Sequence, residues 1–118
     1  MKIGIIGSNG FIGKNLNFYI KKENKYKIFN FSSFNKYKEK WVKKICNEIK
    51  INKPDIIINC AASQDLNDDK KAIQKLLSSN LYSNVMFLNQ SIKNKNFKGY
   101  ISFGTKWEYD TNRNYNPL

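Results

Sequence analysis

The opening residues of the chain leave little freedom of fold. A short apolar run, Lys2-Ile3-Gly4-Ile5-Ile6, too short for a buried helix, leads into Gly7, Gly10 and Gly13 at the spacing G-x-x-G-x-x-G, and a helical pattern starts directly behind them. The order reads as strand, loop, helix. Gly7 lets the chain turn sharply off the strand, Gly10 leaves backbone N–H groups open to an anion with no Cβ in the way, and Gly13 lets the helix pack closely on the strand. The helix N-terminus adds unpaired N–H groups and a partial positive charge, so the anion that fits is the pyrophosphate of a dinucleotide. A strand-to-helix turn can use glycine for geometry alone; the apolar residues on both sides favour the phosphate-binding reading.

Behind the loop, Ile12, Leu16, Tyr19 and Ile20 fall at i, i+4, i+7 and i+8, which predicts one apolar stripe against a sheet, and Lys21 and Lys22 suit a helix C-terminus. Residues 26–31, Tyr-Lys-Ile-Phe-Asn-Phe, read as a second strand that closes a βαβ unit of ~30 residues. A site for NAD would carry Asp or Glu near the end of this strand to hold the ribose 2′-hydroxyl. Here the corresponding positions are Asn30, Ser32 and Ser33, with Lys36, Lys38 and Lys40 close behind, so the sequence favours NADP(H) over NAD(H) and places Ser32 at the cofactor. Ser32, Ser33 or Asn35 can equally cap the next helix.

Trp41, Val42, Ile45 and Ile49 make the next amphipathic face, across about residues 37–51, and Pro54 marks its stop. Residues 55–62 then form a continuous apolar strand ending in small residues, the type buried on both faces of a parallel sheet. Residues from Asn59 to Ser63 either leave room for a cofactor in the crevice above the sheet or pack tightly under a loop. Helices are predicted over about 69–78 and 80–94, the second with a stripe of Leu81, Val85, Leu88 and Ile92, and Asn80 reads as its N-cap. Residues 97–103 complete the strands. A third strand between the second and Pro54 is either very short, around residues 31–34, or absent. The alternation predicts an α/β fold, a Rossmann-type doubly wound parallel sheet with helices on both faces.

Composition removes several classes of function. At 118 residues the chain makes one domain, 1–118. No apolar run approaches the ~18 residues of a membrane span, and no signal peptide is recognisable, so a cytoplasmic protein is expected. The net charge of +12 raises nucleic-acid binding, but the excess is scattered lysine with a single Arg, so a solvated lysine surface fits better than a base-reading one. Cys46 and Cys60 have no metal-ligand spacing and no His to assist them, and read as reduced apolar filler.

Four features occur in order: the G-x-x-G-x-x-G loop, Pro54-Asp55-Ile56-Ile57-Ile58-Asn59-Cys60-Ala61-Ala62, the helix headed by Asn80, and Tyr100-Ile101-Ser102-Phe103-Gly104-Thr105-Lys106-Trp107-Glu108-Tyr109. Together they resemble the extended short-chain dehydrogenase/reductase superfamily, the NAD-dependent epimerase/dehydratase group that modifies nucleotide sugars. The strand motif looks most like the 4-keto-sugar reductase branch, the Gly104 to Tyr109 motif more like CDP-sugar reductases or epimerases. The resemblance covers nearly the whole chain. It implies a nucleotide-sugar substrate and a cofactor site made by Gly7, Ser8, Asn9, Gly10, Phe11, Ile12 and Gly13 around the pyrophosphate, Ala61, Ala62 and Ser63 along the crevice, and Asn80 nearby. It also implies that Thr105 is catalytic, polarising and orienting the sugar hydroxyl or carbonyl; alternatively Thr105 is a turn residue after Gly104.

Two departures narrow the chemistry. The dehydratases of this superfamily follow that Thr with an Asp-Glu pair, where this chain has Lys106 and Trp107; elimination of water thus lacks its acid and base, leaving reduction or epimerisation. The superfamily's Tyr-x-x-x-Lys, in which the cation lowers the phenol pKa, is absent. Tyr109 and Arg113 have similar spacing but follow Thr105 too closely. The resemblance therefore implies the N-terminal part of such an enzyme, truncated before its substrate-binding portion and inactive alone, associated with a complementing chain or as a homo-oligomer. A free-standing dinucleotide-binding or regulatory module is the alternative.

Overall fold

The computed structural model describes residues 1–33, 38–61 and 70–103. Their order is β1 (Lys2–Ile6), α1 (Phe11–Lys22), β2 (Lys27–Asn30), α2 (Lys38–Asn52), β3 (Ile56–Asn59), α3 (Lys70–Leu76), a π-helical segment (Leu77–Tyr82), α4 (Ser83–Ser91) and β4 (Gly99–Ser102). The strands form one parallel sheet in the order β2-β1-β3-β4. Among the described residues there are four strands and no third strand between β2 and α2: the chain leaves the sheet at Phe31, whose N–H donates to the Ile5 carbonyl at 3.0 Å.

Strand alternation sorts the core into two layers. Ile3, Ile5 and Ile58 point to the side of α1, where Leu16 and Ile20 cover them. Ile6 and Ile57 point the other way, into a larger cluster with Phe31, with Trp41, Val42, Ile45 and Ile49 of α2, and with Phe87 of α4. Helices thus cover both faces, as the near-continuous isoleucine of β1 and β3 requires. The α2 face is the one its spacing predicts. Trp41 and Phe87 meet edge to face with ring centroids 5.3 Å apart, an arrangement favoured by the ring quadrupoles.

Two expected stripes are turned. On α1, Leu16 and Ile20 pack inward, but Ile12 and Tyr19 are exposed and the fully buried residue is Gly13. The helix approaches the loop through its glycine, so its contact face runs along 13, 16 and 20. Along α4 and the residues flanking it, Leu81, Val85, Leu88 and Ile92 are 60%, 48%, 40% and 62% exposed, whereas Ser83, Phe87 and Ser91 are buried. The face that docks is the one with a single large ring between two small residues: Ser91 returns its hydroxyl to the Phe87 carbonyl at 2.7 Å and lets the helix sit close.

Asn80 is not an N-cap. The helical path continues through it from Lys70 to Ser91 as α3, π segment and α4, since no Gly or Pro interrupts that stretch. The π segment takes up the change in phase between α3 and α4.

Candidate functional site

The site lies at the carboxyl end of the sheet, where β1 has β2 on one side and β3 on the other. This is the switch point at which open α/β sheets bind ligands. Gly7 stands at φ +76°, a conformation that β-carbon-bearing residues avoid, and a Cβ there would lie 2.7 Å from the Ala61 backbone nitrogen. A Cβ on Gly13 would overlap the Gly7 carbonyl oxygen and crowd the Ser8 Cα at 2.7 Å. These two glycines are demanded by the protein's own packing.

Gly10 differs. Its backbone is extended at φ −75°, and among the described residues the only atom near an added Cβ is the Gly7 carbonyl oxygen at an ordinary 3.5 Å. No described residue requires glycine there. It is also the N-cap of α1, with no side-chain cap, and no acidic residue stands in the first helical turn. The turn is closed by backbone alone, Gly10 N–H to the Gly7 carbonyl at 3.1 Å and Lys14 N–H to the Gly10 carbonyl at 2.9 Å. Phe11 and Ile12 begin the helix exposed, in its first turn, where the amides have no partner within the helix and carry the positive end of α1.

The far wall is held by Asn59, the last residue of β3 and buried. Its Oδ1 accepts the Ala61 N–H at 3.0 Å, fixing Ala61 against Gly7, while its Nδ2 donates to Asn84 Oδ1 at 2.8 Å and to the Tyr100 hydroxyl at 3.2 Å. Tyr100 in turn donates to Asn84 Oδ1 at 2.6 Å. Three elements, β3, β4 and α4, are tied together under the crevice. Burial pushes the Tyr100 phenol well above its ordinary value; the Asn59 hydrogen bond opposes this, and the Cys46 charge adds to it. A phenol held so strongly neutral serves as a structural donor here.

At the β2 end, Asn9 of the loop donates from Nδ2 to the Ser33 hydroxyl at 2.6 Å, so the phosphate loop and the end of β2 are in direct contact. Ser32 is half-buried and turned to α2: its N–H donates to Glu48 Oε2 at 3.0 Å, its hydroxyl donates to Glu48 Oε1, and its carbonyl accepts the Trp41 Nε1–H at 3.1 Å. It is a docking point for α2 and caps no helix among the described residues. Asn17 of α1 reaches Asn30 on the same side, Nδ2 to Oδ1 at 3.1 Å.

The structure therefore brings together Gly7, Ser8, Asn9, Gly10, Phe11, Ile12, Gly13 and Ala61, with Ser32 at one margin. Asn80 lies in the π-helical segment, exposed, its carbonyl accepting Asn84 Nδ2 at 2.7 Å. Ala62, Ser63 and Thr105 fall outside the described residues, as do Lys36, Lys106, Trp107, Tyr109 and Arg113. Cys46 and Cys60 are free and half-buried, and burial pushes both thiols up. Among the described residues no acid, thiol or imidazole cluster could hold a metal, and no helix is long and apolar enough to cross a membrane.

Sequence reasoning missed Glu48 and Asn84. Glu48 had a signal: it stands seven residues after Trp41 and next to Ile49, so helical spacing puts its carboxylate at the border of the buried face. Asn84 had none, because the stripe assigned to its helix faced the wrong way.

A family model described as the NAD dependent epimerase/dehydratase family matches residues 3–117. The chain belongs to that family. No curated protein sequence matches it. Among solved structures it is similar to a GDP-L-fucose synthetase from Naegleria fowleri (TM-score 0.73, 19% identity, 99% of this chain and 34% of that one). It is similar also to a dTDP-4-dehydrorhamnose reductase from Bacillus anthracis in complex with NADP (0.67, 22%, 83% and 34%). A third is the Bordetella bronchiseptica enzyme WbmH in complex with NAD+ (0.69, 18%, 92% and 40%). At these identities the likeness is one of fold, and the chain spans about a third of the length of the reductases it matches.

Proposed function

We propose that this chain is the dinucleotide-binding portion of a nucleotide-sugar reductase or epimerase. The observation that carries the reading is Gly10: among the described residues it is the one loop glycine that packing does not require, at the head of a helix that makes no side-chain cap hydrogen bond. A residue kept small where no described neighbour crowds it is accounted for by something that must come close, and a pyrophosphate on helix-end amides fits. Gly10 and the amides of Phe11 and Ile12 would hold the phosphates, while Ser8 and Asn9 line the loop. Ala61, positioned by Asn59, would flank the nicotinamide half, with Ala62 and Ser63 continuing the crevice.

A nicotinamide dinucleotide supplies hydride exchange with a sugar carbon when bound. This chain contributes the cradle and Thr105, which would donate a hydrogen bond to the sugar oxygen as charge develops there. Tyr19, Tyr26, Tyr37, Tyr82, Tyr100 and Tyr109 are followed four residues later by a residue other than Lys, so in this reading the proton-transferring Tyr-Lys pair is completed by polypeptide outside these residues. The exposed leucines and valine of α4 offer a surface for such a chain or for a second copy.

The test is calorimetric titration of the purified chain with NAD+ and NADP+, alongside Gly10→Ala. Saturable binding by the wild type is expected, weakened by roughly tenfold or more in the variant, with the thermal midpoint unchanged. Binding unaffected by Gly10→Ala, or no binding by a folded wild type, would sink the reading. Turnover of nucleotide sugars by the chain alone is expected to be negligible.

A further inference from the structure

The end of β2 carries no acid in sequence, yet a carboxylate reaches it from α2. Glu48 takes both hydrogen-bond donors of Ser32, one on each oxygen. Both Ser32 donors are thus engaged by Glu48, and the Ser32 carbonyl accepts the Trp41 Nε1–H. The next residue, Ser33, touches Asn9 of the phosphate loop. Two consecutive residues, Ser32 and Ser33, therefore link a half-buried negative charge to the loop that would hold the pyrophosphate, and in a fold of this type the adenosine ribose lies between that loop and the end of the second strand.

We propose that Glu48 decides which dinucleotide the site accepts, favouring NAD(H), with its free ribose 2′-hydroxyl, over NADP(H). This rests on the dinucleotide site proposed above and makes its ligand specific. A 2′-phosphate would bring a second anion towards a carboxylate that two hydrogen bonds hold in place, and the Ser32 donors that could have received it are taken. Lys40, on the side of α2 nearest β2 in sequence, is exposed, where its attraction is screened by solvent and salt. Residue types along the strand favour NADP(H); the tertiary contact of Glu48 reverses that choice.

The experiment titrates NAD+ and NADP+ separately into the wild type and into Glu48→Gln at neutral pH, with circular dichroism to verify that the variant is folded. The wild type is expected to bind NAD+ on the order of tenfold tighter than NADP+, and Glu48→Gln to close most of that gap by gaining affinity for NADP+. Should the variant fail to fold, the wild type alone decides: like-charge repulsion predicts that the NAD+ advantage shrinks as salt rises. Equal or tighter binding of NADP+ by the wild type, or a ratio that neither the folded variant nor salt moves, would overturn the assignment of Glu48 while leaving the dinucleotide site standing. Absence of binding by either nucleotide would overturn both.

Discussion

The helices that follow β1 and β3 show how differently two stretches of similar apolar content can use it. Around α1 the decisive residues are those with least side chain: Gly7 and Gly13 let strand, loop and helix pass within contact distance, and the large residues Phe11, Phe18 and Tyr19 are left in solvent. Around α4 the decisive residue is the largest one buried, Phe87, seated between Ser83 and Ser91. The apolar stripe that periodicity assigns to the core there looks outward instead. A helix that is apolar on both faces is one with a second surface to cover, whereas α1 begins at a glycine with no side-chain cap hydrogen bond. What separates them is backbone proximity: glycine sets the docking face of α1, and small serines set that of α4.

Three measurements would break or sharpen this contrast. The largest effect is expected on α4: Phe87→Ala should cost about 3–5 kcal/mol in urea unfolding, as for any large ring removed from a packed interior, while Leu81→Ala a few residues away should change stability by less than about 0.5 kcal/mol. Comparable costs at both positions would mean that the helix docks through its leucine stripe after all. Next comes the loop. Gly13→Ala, whose Cβ would strike the Gly7 carbonyl, should destabilise by about 1–3 kcal/mol, against a near-neutral Gly10→Ala. Equal losses would remove the distinction between glycines kept for packing and the one kept for a ligand.

The smallest effect concerns the tie between the two regions. Tyr100→Phe removes the hydroxyl that Asn59 and Asn84 share and should cost about 1 kcal/mol near neutral pH. Because burial holds this phenol above its unfolded value of 10.0, its contribution is whole below that pH and is lost as pH climbs towards the folded value. Wild-type stability should therefore decline more steeply than that of Tyr100→Phe once the pH passes about 10, as followed by unfolding titrations. Parallel declines would show that the hydroxyl is not buried in solution.

Much of the fold could be read from the chain because its signals are local. The isoleucine runs of β1 and β3, the glycine spacing, the Trp41 to Ile49 face and Pro54 each act within a few residues, and each stands in the structure where its pattern placed it. The exceptions share a cause. Ile12, Tyr19 and the α4 stripe were assigned by period alone, which gives the presence of an apolar face but not the direction in which the helix turns it.

The amino-acid order by itself determined a parallel α/β sheet opening on a glycine-rich strand-to-helix loop, since strand length, glycine position and helix start are set by backbone sterics between near neighbours. Only the tertiary structure decided which helix faces meet the core, that Asn59 braces Ala61 against Gly7, and that Glu48 delivers a charge to Ser32 across 16 positions of chain. Contacts of that span depend on where the sheet and its covering helices bring distant residues together, and no local pattern of side chains encodes that.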